Sequence, residues 1–270
     1  MTATRSPPIV AMHLHRTKTY SVIVASVAAL FLCAHSPLVS AQAVQAPSSS
    51  PAHRRDDPAC AGTSTLAMRV DAIEKAAAQG DRVAQHDLGV LYWCGEGLEG
   101  NFSRAATWYE KAAQQGYAPS QFNIAQMYLH GYGVQRNDEM GAYWLRQAAD
   151  QGVAVAQSEL GNLYFLGIGV NEDQAQAAAW LRKAAIQGDE NAQTRLGLML
   201  KNGFGVPRNL IAAYAWLEIA EKTHPASAVG ELGYKPHLSG EALKTAETIA
   251  ARWKAGDSVP EDSPSPTDTK

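Results

Sequence analysis

The sequence predicts an all-α protein, a solenoid of stacked helix pairs with a repeat of 36 residues. Three sets of residues recur at this spacing: single glycines, tryptophans and Gly-x-Gly pairs. The glycines are Gly80, Gly116, Gly152 and Gly188, the tryptophans are Trp108, Trp144, Trp180 and Trp216, and the pairs are Gly95/Gly97, Gly131/Gly133, Gly167/Gly169 and Gly203/Gly205. A period of roughly 20–50 residues is typical of solenoids, in which each unit buries its apolar face only against its neighbours. Such proteins usually bind other proteins, so the repeat favours interaction over catalysis.

Residues 1–41 are predicted to be an export signal. Arg5, Arg16 and Lys18 give a basic start, an uncharged run covers residues 20–34, and small residues precede a cleavage position after Ala41. The apolar run has 15 residues, whereas a spanning helix needs about 20. Cleavage is therefore favoured over an uncleaved anchor, and translation can begin at Met1 or Met12. A lipoprotein signal at Cys33 is disfavoured because Leu32 stands where a small residue is expected.

The charge of the processed chain argues against nucleic acid and against anionic membranes as partners. Cleavage after Ala41 leaves 20 basic and 26 acidic residues, a net charge of −6. A nucleic-acid binder relies on a clustered basic surface, and no basic run follows the signal. The predicted location is periplasmic or secreted, with no stable membrane insertion after cleavage.

Two cysteines remain after cleavage, Cys60 and Cys94, near the turns of adjacent units. Paired thiols tend to close in an oxidising compartment, which favours a disulfide that ties the N-terminal half-unit to the first full repeat. The alternative is two free thiols. Residues 42–62, which contain Cys60, are predicted to be a flexible linker because they are rich in Pro, Ser, Ala and Gln.

The solenoid is predicted to cover residues 63–222, as a half-unit followed by four repeats. In the unit 118–152 an apolar helical face precedes Gly131 and Gly133, Asn137 is the expected N-cap of a second helix, and Gly152 ends that helix. The matching N-cap positions in the other units are Asn101, Asp173 and Asn209. Residues 223–256 are predicted to form a capping region with a helix near 239–253, and residues 257–270 a disordered tail.

The repeating order A-x-x-x-L/I-G/A-x-x-Y-x-x-G-x-G-V, then N/D, then A-x-x-W-Y/L-x-x-A-A-x-x-G resembles the Sel1-like repeat, a relative of the tetratricopeptide repeat. The resemblance covers residues 73 to about 222. It implies a right-handed α-solenoid of antiparallel helix pairs with a concave binding surface, used by adaptors and scaffolds; some exported bacterial members are reported to bind penicillins. The departures, such as Leu200 for the repeat tyrosine, fall in the outer repeats.

Motifs for catalysis, metals and cofactors are missing from the sequence. The G-x-G-x-x-G at residues 95–100 follows a helix rather than a strand, so it is predicted to be a repeat turn and not a dinucleotide site. No S-x-x-K, G-x-S-x-G or H-E-x-x-H occurs, and no histidine has zinc-finger spacing to a cysteine. We therefore expect no enzyme activity, no cofactor and no metal. The glutamines repeated in every unit, Gln85, Gln121, Gln157 and Gln193, are interpreted as buried amides that bond to turn carbonyls.

Function is expected where the repeats differ, along a stripe on the first helix of each unit at i, i+4 and i+7. We call these twelve positions the groove stripe: His86, Val90, Trp93, Phe122, Gln126, Leu129, Ser158, Asn162, Phe165, Thr194, Leu198 and Lys201. If first helices line the concave side, as the resemblance implies, the stripe is the floor of a groove with aromatic anchors among hydrogen-bonding groups. The competing interpretation is packing between repeats.

Three functions follow from these observations. The first is an exported, non-enzymatic scaffold that binds a peptide or protein partner in the groove. The second is recognition of a cell-wall fragment or a small molecule such as a β-lactam or muropeptide. The third, a hydrolase, is disfavoured by the missing motifs.

Overall fold

The computed structural model describes residue 60 and residues 69–95, 97–223 and 236–259. Within these ranges the chain forms ten helices and no strand. They are α1 (Val70–Ala78), α2 (Arg82–Cys94), α3 (Phe102–Gln114), α4 (Ala118–His130), α5 (Asp138–Asp150), α6 (Ala154–Leu166), α7 (Gln174–Ile186), α8 (Glu190–Asn202), α9 (Leu210–Thr223) and α10 (Gly240–Arg252). The predicted signal peptide, 1–41, and all of the predicted linker, 42–62, except Cys60 lie outside the described residues.

The helices stack in chain order. Each one packs against the helix before it and the helix after it, and the closest packing is within the pairs α2/α3, α4/α5, α6/α7 and α8/α9. Alanines such as Ala148 and Ala184 are fully buried between helices, where a small side chain allows the helix axes to approach closely. This arrangement confirms the predicted all-α solenoid. None of the described helices has both the length and the apolar character needed to cross a bilayer.

The turn within each pair has the same construction in all four units. Helix α4 ends at Gly131, whose φ of 71° lies in the left-handed region. The backbone N–H of Asn137 then donates to the carbonyl of Tyr128 at 2.9 Å, which closes the loop onto the end of α4. The side chain of Asn137 accepts a hydrogen bond from the N–H of Met140 at 2.9 Å and so caps α5. The matching capping bonds confirm the other predicted N-caps, Asn101, Asp173 and Asn209.

In three of the four Gly-x-Gly pairs, the second glycine lies against the preceding repeat. A Cβ on Gly169 would lie 2.0 Å from the carbonyl oxygen of Asp138, at the start of α5. Gly133 and Gly205 meet Phe102 and Gln174 in the same way, at 2.3 Å and 2.2 Å. Only a residue without a side chain allows these two backbone segments to touch, so this glycine sets the spacing between neighbouring repeats.

The repeated glutamines join consecutive helices. The side-chain amide of Gln121 on α4 donates to the carbonyl of Ala113 at the end of α3, at 3.2 Å, and its oxygen accepts from Gln151 at 2.6 Å. Equivalent bonds recur at Gln85, Gln157 and Gln193, each to a carbonyl near the end of the previous helix. Each of these carbonyls belongs to the last turn of the previous helix and also accepts a backbone N–H from the turn that follows. The predicted structural role of the buried amides is therefore confirmed.

The N-terminal end of the stack is the predicted half-unit. Helix α1 corresponds to the second helix of a pair and packs on α2. Cys60 and Cys94 form a disulfide in the structure, with their Cα atoms 5.6 Å apart and both side chains buried. The bridge ties residue 60 to the last residue of α2, one unit along the chain.

The C-terminal end is covered by α10, which packs on α9 and confirms the expected helix near residues 239–253. Of the predicted disordered tail, 257–270, the structure describes residues 257–259, and Val259 is only 4% exposed, so the prediction is wrong for these three residues. Residues 260–270 lie outside the described residues. Hydrogen bonds hold the described segment, because Gly256 N–H donates to the carbonyl of Ile186 at 2.7 Å and Trp253 Nε1 donates to the carbonyl of Asp257 at 2.9 Å. The composition of the tail did not reveal this contact with α7.

Candidate functional site

The two layers of helices differ in how much they expose. In the second-helix layer, α7 exposes Ala175, Gln176, Ala179 and Lys183, and α5 exposes Glu139, Tyr143 and Asp150. In the first-helix layer, α6 exposes no residue and α4 exposes only Pro119. Helices α4 and α6 of the first-helix layer are therefore more enclosed than α5 and α7, whereas α2 exposes Arg82 and Val83 and α8 exposes Asn202.

The groove stripe lies in this enclosed first-helix layer, and none of its twelve residues is fully exposed. Five are buried: Trp93, Phe122, Gln126, Ser158 and Asn162. Seven are half-buried: His86, Val90, Leu129, Phe165, Thr194, Leu198 and Lys201. The half-buried members are therefore the positions that a partner could contact without any rearrangement of the stack.

At the N-terminal end the stripe is occupied by packing between repeats. The Trp93 ring lies 4.9 Å from the ring of Phe102 and 5.6 Å from that of Tyr132, in the next unit. His86 Nδ1 lies 2.9 Å from the hydroxyl of Ser120, and burial lowers the pKa of this imidazole to about 4. His86 is thus neutral at neutral pH. These contacts favour the packing interpretation for Trp93 and His86.

The apolar positions in the middle of the stripe divide between packing and surface. The side chain of Leu129 occupies the space above Gly141 of α5, where a Cβ would lie 2.5 Å from it. Phe165, in contrast, faces the ring of Phe204 at 6.2 Å, and Phe204 is 43% exposed. Phe165 is therefore an apolar stripe residue that adjoins an exposed ring.

Beside the polar centre of the stripe lies a buried acidic residue, Glu159, which is not one of the twelve stripe positions. Acidic side chains are usually exposed, but Glu159 of α6 is only 5% exposed. The amide of Gln126 on α4 donates to Glu159 Oε2. Burial raises the pKa of the Glu159 carboxyl to about 8, against the lowering effect of the Gln126 hydrogen bond, and nearby Asp189 adds to the rise.

Several oxygen atoms around Glu159 lack a hydrogen-bonding partner among the described residues. They are Glu159 Oε1, Asn162 Oδ1 and Ser158 Oγ. All three belong to α6, and Asn162 stands one helical turn from both Ser158 and Glu159, so the three side chains share one face of the helix. We call Gln126, Ser158, Glu159 and Asn162 the acceptor cluster.

One repeat further along, α8 carries Arg195 at the position that corresponds to Glu159. Burial lowers the pKa of its guanidinium, and Lys201 lies at the end of the same helix. The acceptor cluster and the basic end of the stripe are therefore next to each other in the first-helix layer. A sequence signal existed here: polar residues occupy this repeat position in every unit, as Asp87, Asn123, Glu159 and Arg195.

Within the described residues, no three histidine, cysteine, aspartate or glutamate side chains come together in a way that could hold a metal ion. The chemistry that the stripe offers is hydrogen bonding, apolar contact and charge. These are the means by which proteins bind other molecules non-covalently.

The four units match the Sel1 repeat family, over residues 82–117, 118–153, 154–189 and 191–222. None of the curated proteins compared with the chain matches it. Among solved structures, the chain is similar to a protective antigen of uropathogenic Escherichia coli strains that displays an SLR fold, with 35% identity over 67% of this chain and a TM-score of 0.60. It is also similar to a Sel1 repeat protein from Oxalobacter formigenes, with 38% identity over 61% of this chain and a TM-score of 0.56.

The alignments cover 39% of the E. coli protein and 48% of the O. formigenes protein. The family is one of protein–protein interaction scaffolds that are typically not catalytic. The matched repeats account for more than half of the sequence and agree with the helix pairs, the glycine turns and the spacing described above. The chain belongs to the Sel1 repeat family.

Proposed function

We propose that this protein is an exported, non-enzymatic scaffold that binds a peptide or protein partner along the groove stripe. The observation that carries the proposal is that two sets of residues have different roles. The residues repeated in every unit (the turn glycines, the N-caps and the glutamines) make contacts that stabilise the fold. The polar and half-buried residues of the first-helix layer, in contrast, differ from unit to unit. A surface that varies on a constant scaffold is how solenoids achieve specific binding.

Export is supported by two features. Residues 1–41 have the basic, apolar and small-residue segments of a cleavable signal, and Cys60 is bonded to Cys94. Disulfides persist in secreted and periplasmic proteins and are rare in the cytosol. Both features favour a periplasmic or extracellular site of action.

The test is in-cell crosslinking and affinity capture with the full-length precursor carrying a C-terminal tag. The groove variant is V90K/T194K, which places two long side chains at half-buried positions of the stripe and removes two β-branched residues from helices. The matched control is V83K/Y143K, which adds the same charge at residues that are 47% and 51% exposed outside the stripe. All proteins are first compared by circular dichroism, so that unfolding is recognised.

We expect one discrete protein to be enriched by the wild type and the control but lost with the groove variant. Mass spectrometry of the captured bait should give Gln42 as the mature N-terminus. Equal recovery with the groove variant would overturn the placement of the site. A bait that retains residues 1–41 would overturn export, and an empty capture with thermal stabilisation by muropeptides would favour a cell-wall ligand instead.

A further inference from the structure

Three side-chain oxygen atoms of the acceptor cluster are buried and form no hydrogen bond with the described residues. Gln126 supplies one amide N–H to Glu159, and Glu159 Oε1, Asn162 Oδ1 and Ser158 Oγ have no donor among the described residues. A buried acceptor without a donor costs free energy. Three such atoms on one face of one helix therefore point to a group that brings several donors.

We propose that the acceptor cluster receives a lysine or arginine side chain of the bound partner. The inference rests on the proposed function, because it assigns a chemical class to what the groove binds. A lysine ammonium carries three donors and an arginine guanidinium five, without any acceptor. Either matches three oxygen atoms, one of which belongs to a carboxylate.

The surroundings fit a long basic side chain. The residues that flank the cluster along the stripe are aromatic: Phe122 is one turn from Gln126 on α4, and Phe165 is one turn from Asn162 on α6. Methylene stems of lysine and arginine pack on such surfaces while the charged end reaches a polar group. The three oxygens are covered in the unbound protein, so a bound side chain reaches them only after a side chain that covers them moves.

Charge also favours a basic partner. The processed chain has a net charge of −6. A cation beside Glu159 stabilises the ionised carboxylate that burial disfavours. Arg195 and Lys201 disfavour a second basic group one repeat further along, over α8.

The probe is a positional library of N-acetylated, C-amidated nonapeptides, with one residue type fixed at each position. Binding to the mature protein is measured by fluorescence polarisation. The cluster variant is E159Q, which keeps the shape of the side chain, and a second variant is S158A. The control is E139Q, which removes the same formal charge from an exposed position of α5.

We expect pools with lysine or arginine fixed at one position to bind the wild type and E139Q at least tenfold more tightly than pools with glutamate or leucine there. E159Q should lose this preference, and S158A should weaken it, while both retain the binding of pools with fixed aromatic residues. Selective binding without a basic preference, or a preference unchanged in E159Q, would overturn the inference and leave the groove proposal standing. If no pool binds the wild type, both proposals fail for peptides. Helicity and thermal midpoints of all variants exclude unfolding as the cause.

Discussion

At the scale of single residues, Glu159 makes the stability of the protein depend on pH. Its carboxyl has an ordinary pKa of 4.5 in an unfolded chain and a pKa of about 8 in the folded protein. Between these values the folded state holds a proton that the unfolded state has lost. The free energy of unfolding therefore falls as the pH rises through this window, by at most about 1.4 kcal/mol per pH unit.

The E159Q variant has no proton to lose at this position. We expect the unfolding free energy of the wild type minus that of E159Q to decrease steadily from pH 5 to pH 8. Urea denaturation at several pH values measures it. His86, whose pKa is lowered to about 4, destabilises the folded state only as the pH falls below about 6.5, and it does so equally in both proteins. A difference that is constant over the whole range would show that the carboxyl is not buried in solution.

At the scale of the helical elements, the glycines Gly133, Gly169 and Gly205 each bring one repeat against the previous one. We expect Gly169→Ala to destabilise the protein by about 3 kcal/mol or more, because the added Cβ would lie 2.0 Å from the carbonyl oxygen of Asp138 and the backbone has a φ of +65°. The matched control is Gly152→Ala. Gly152 has a φ of +87°, and nothing lies within 4 Å of an added Cβ.

The control isolates backbone strain, which costs about 1–2 kcal/mol for a residue with a side chain in the left-handed region. The difference between the two variants therefore measures the contact between repeats. Guanidinium denaturation gives both values. Equal losses of unfolding free energy in the two variants would contradict a close approach between α5 and the turn that joins α6 to α7.

At the scale of the whole molecule, contacts between neighbouring units make stability local. The Cys60–Cys94 disulfide spans 34 residues at one end of the stack, and for a loop of this length its removal costs about 3–4 kcal/mol. Because each repeat contacts only its neighbours, we expect the C60S/C94S variant to lose hydrogen-exchange protection in α1 and α2, with α6 and α7 unchanged.

Hydrogen exchange read by mass spectrometry distinguishes this result from a global loss. Reductant should give the wild type the exchange pattern of C60S/C94S and should have no effect on the variant itself. Uniform acceleration across all helices would mean that the solenoid unfolds as one cooperative unit and would contradict the local prediction.

The sequence by itself determined the repeat, the helix pairs, the N-caps and the role of the glutamines. These features depend on residues at fixed separations in the chain. Asn137 accepts a hydrogen bond from the backbone N–H three residues later, and Gln121 donates to a carbonyl eight residues earlier. The twelve stripe positions could also be identified in the sequence, because helical spacing places them on one face.

Only the tertiary structure decided which stripe residues are surface and which are packing. Trp93 is enclosed by rings from two other segments of the chain, and Glu159 is covered although charged residues are usually exposed. The same helix face is open or closed according to how closely the neighbouring repeats approach. That distance is set by contacts between units, such as the one at Gly169, and helical spacing within one unit carries no information about it.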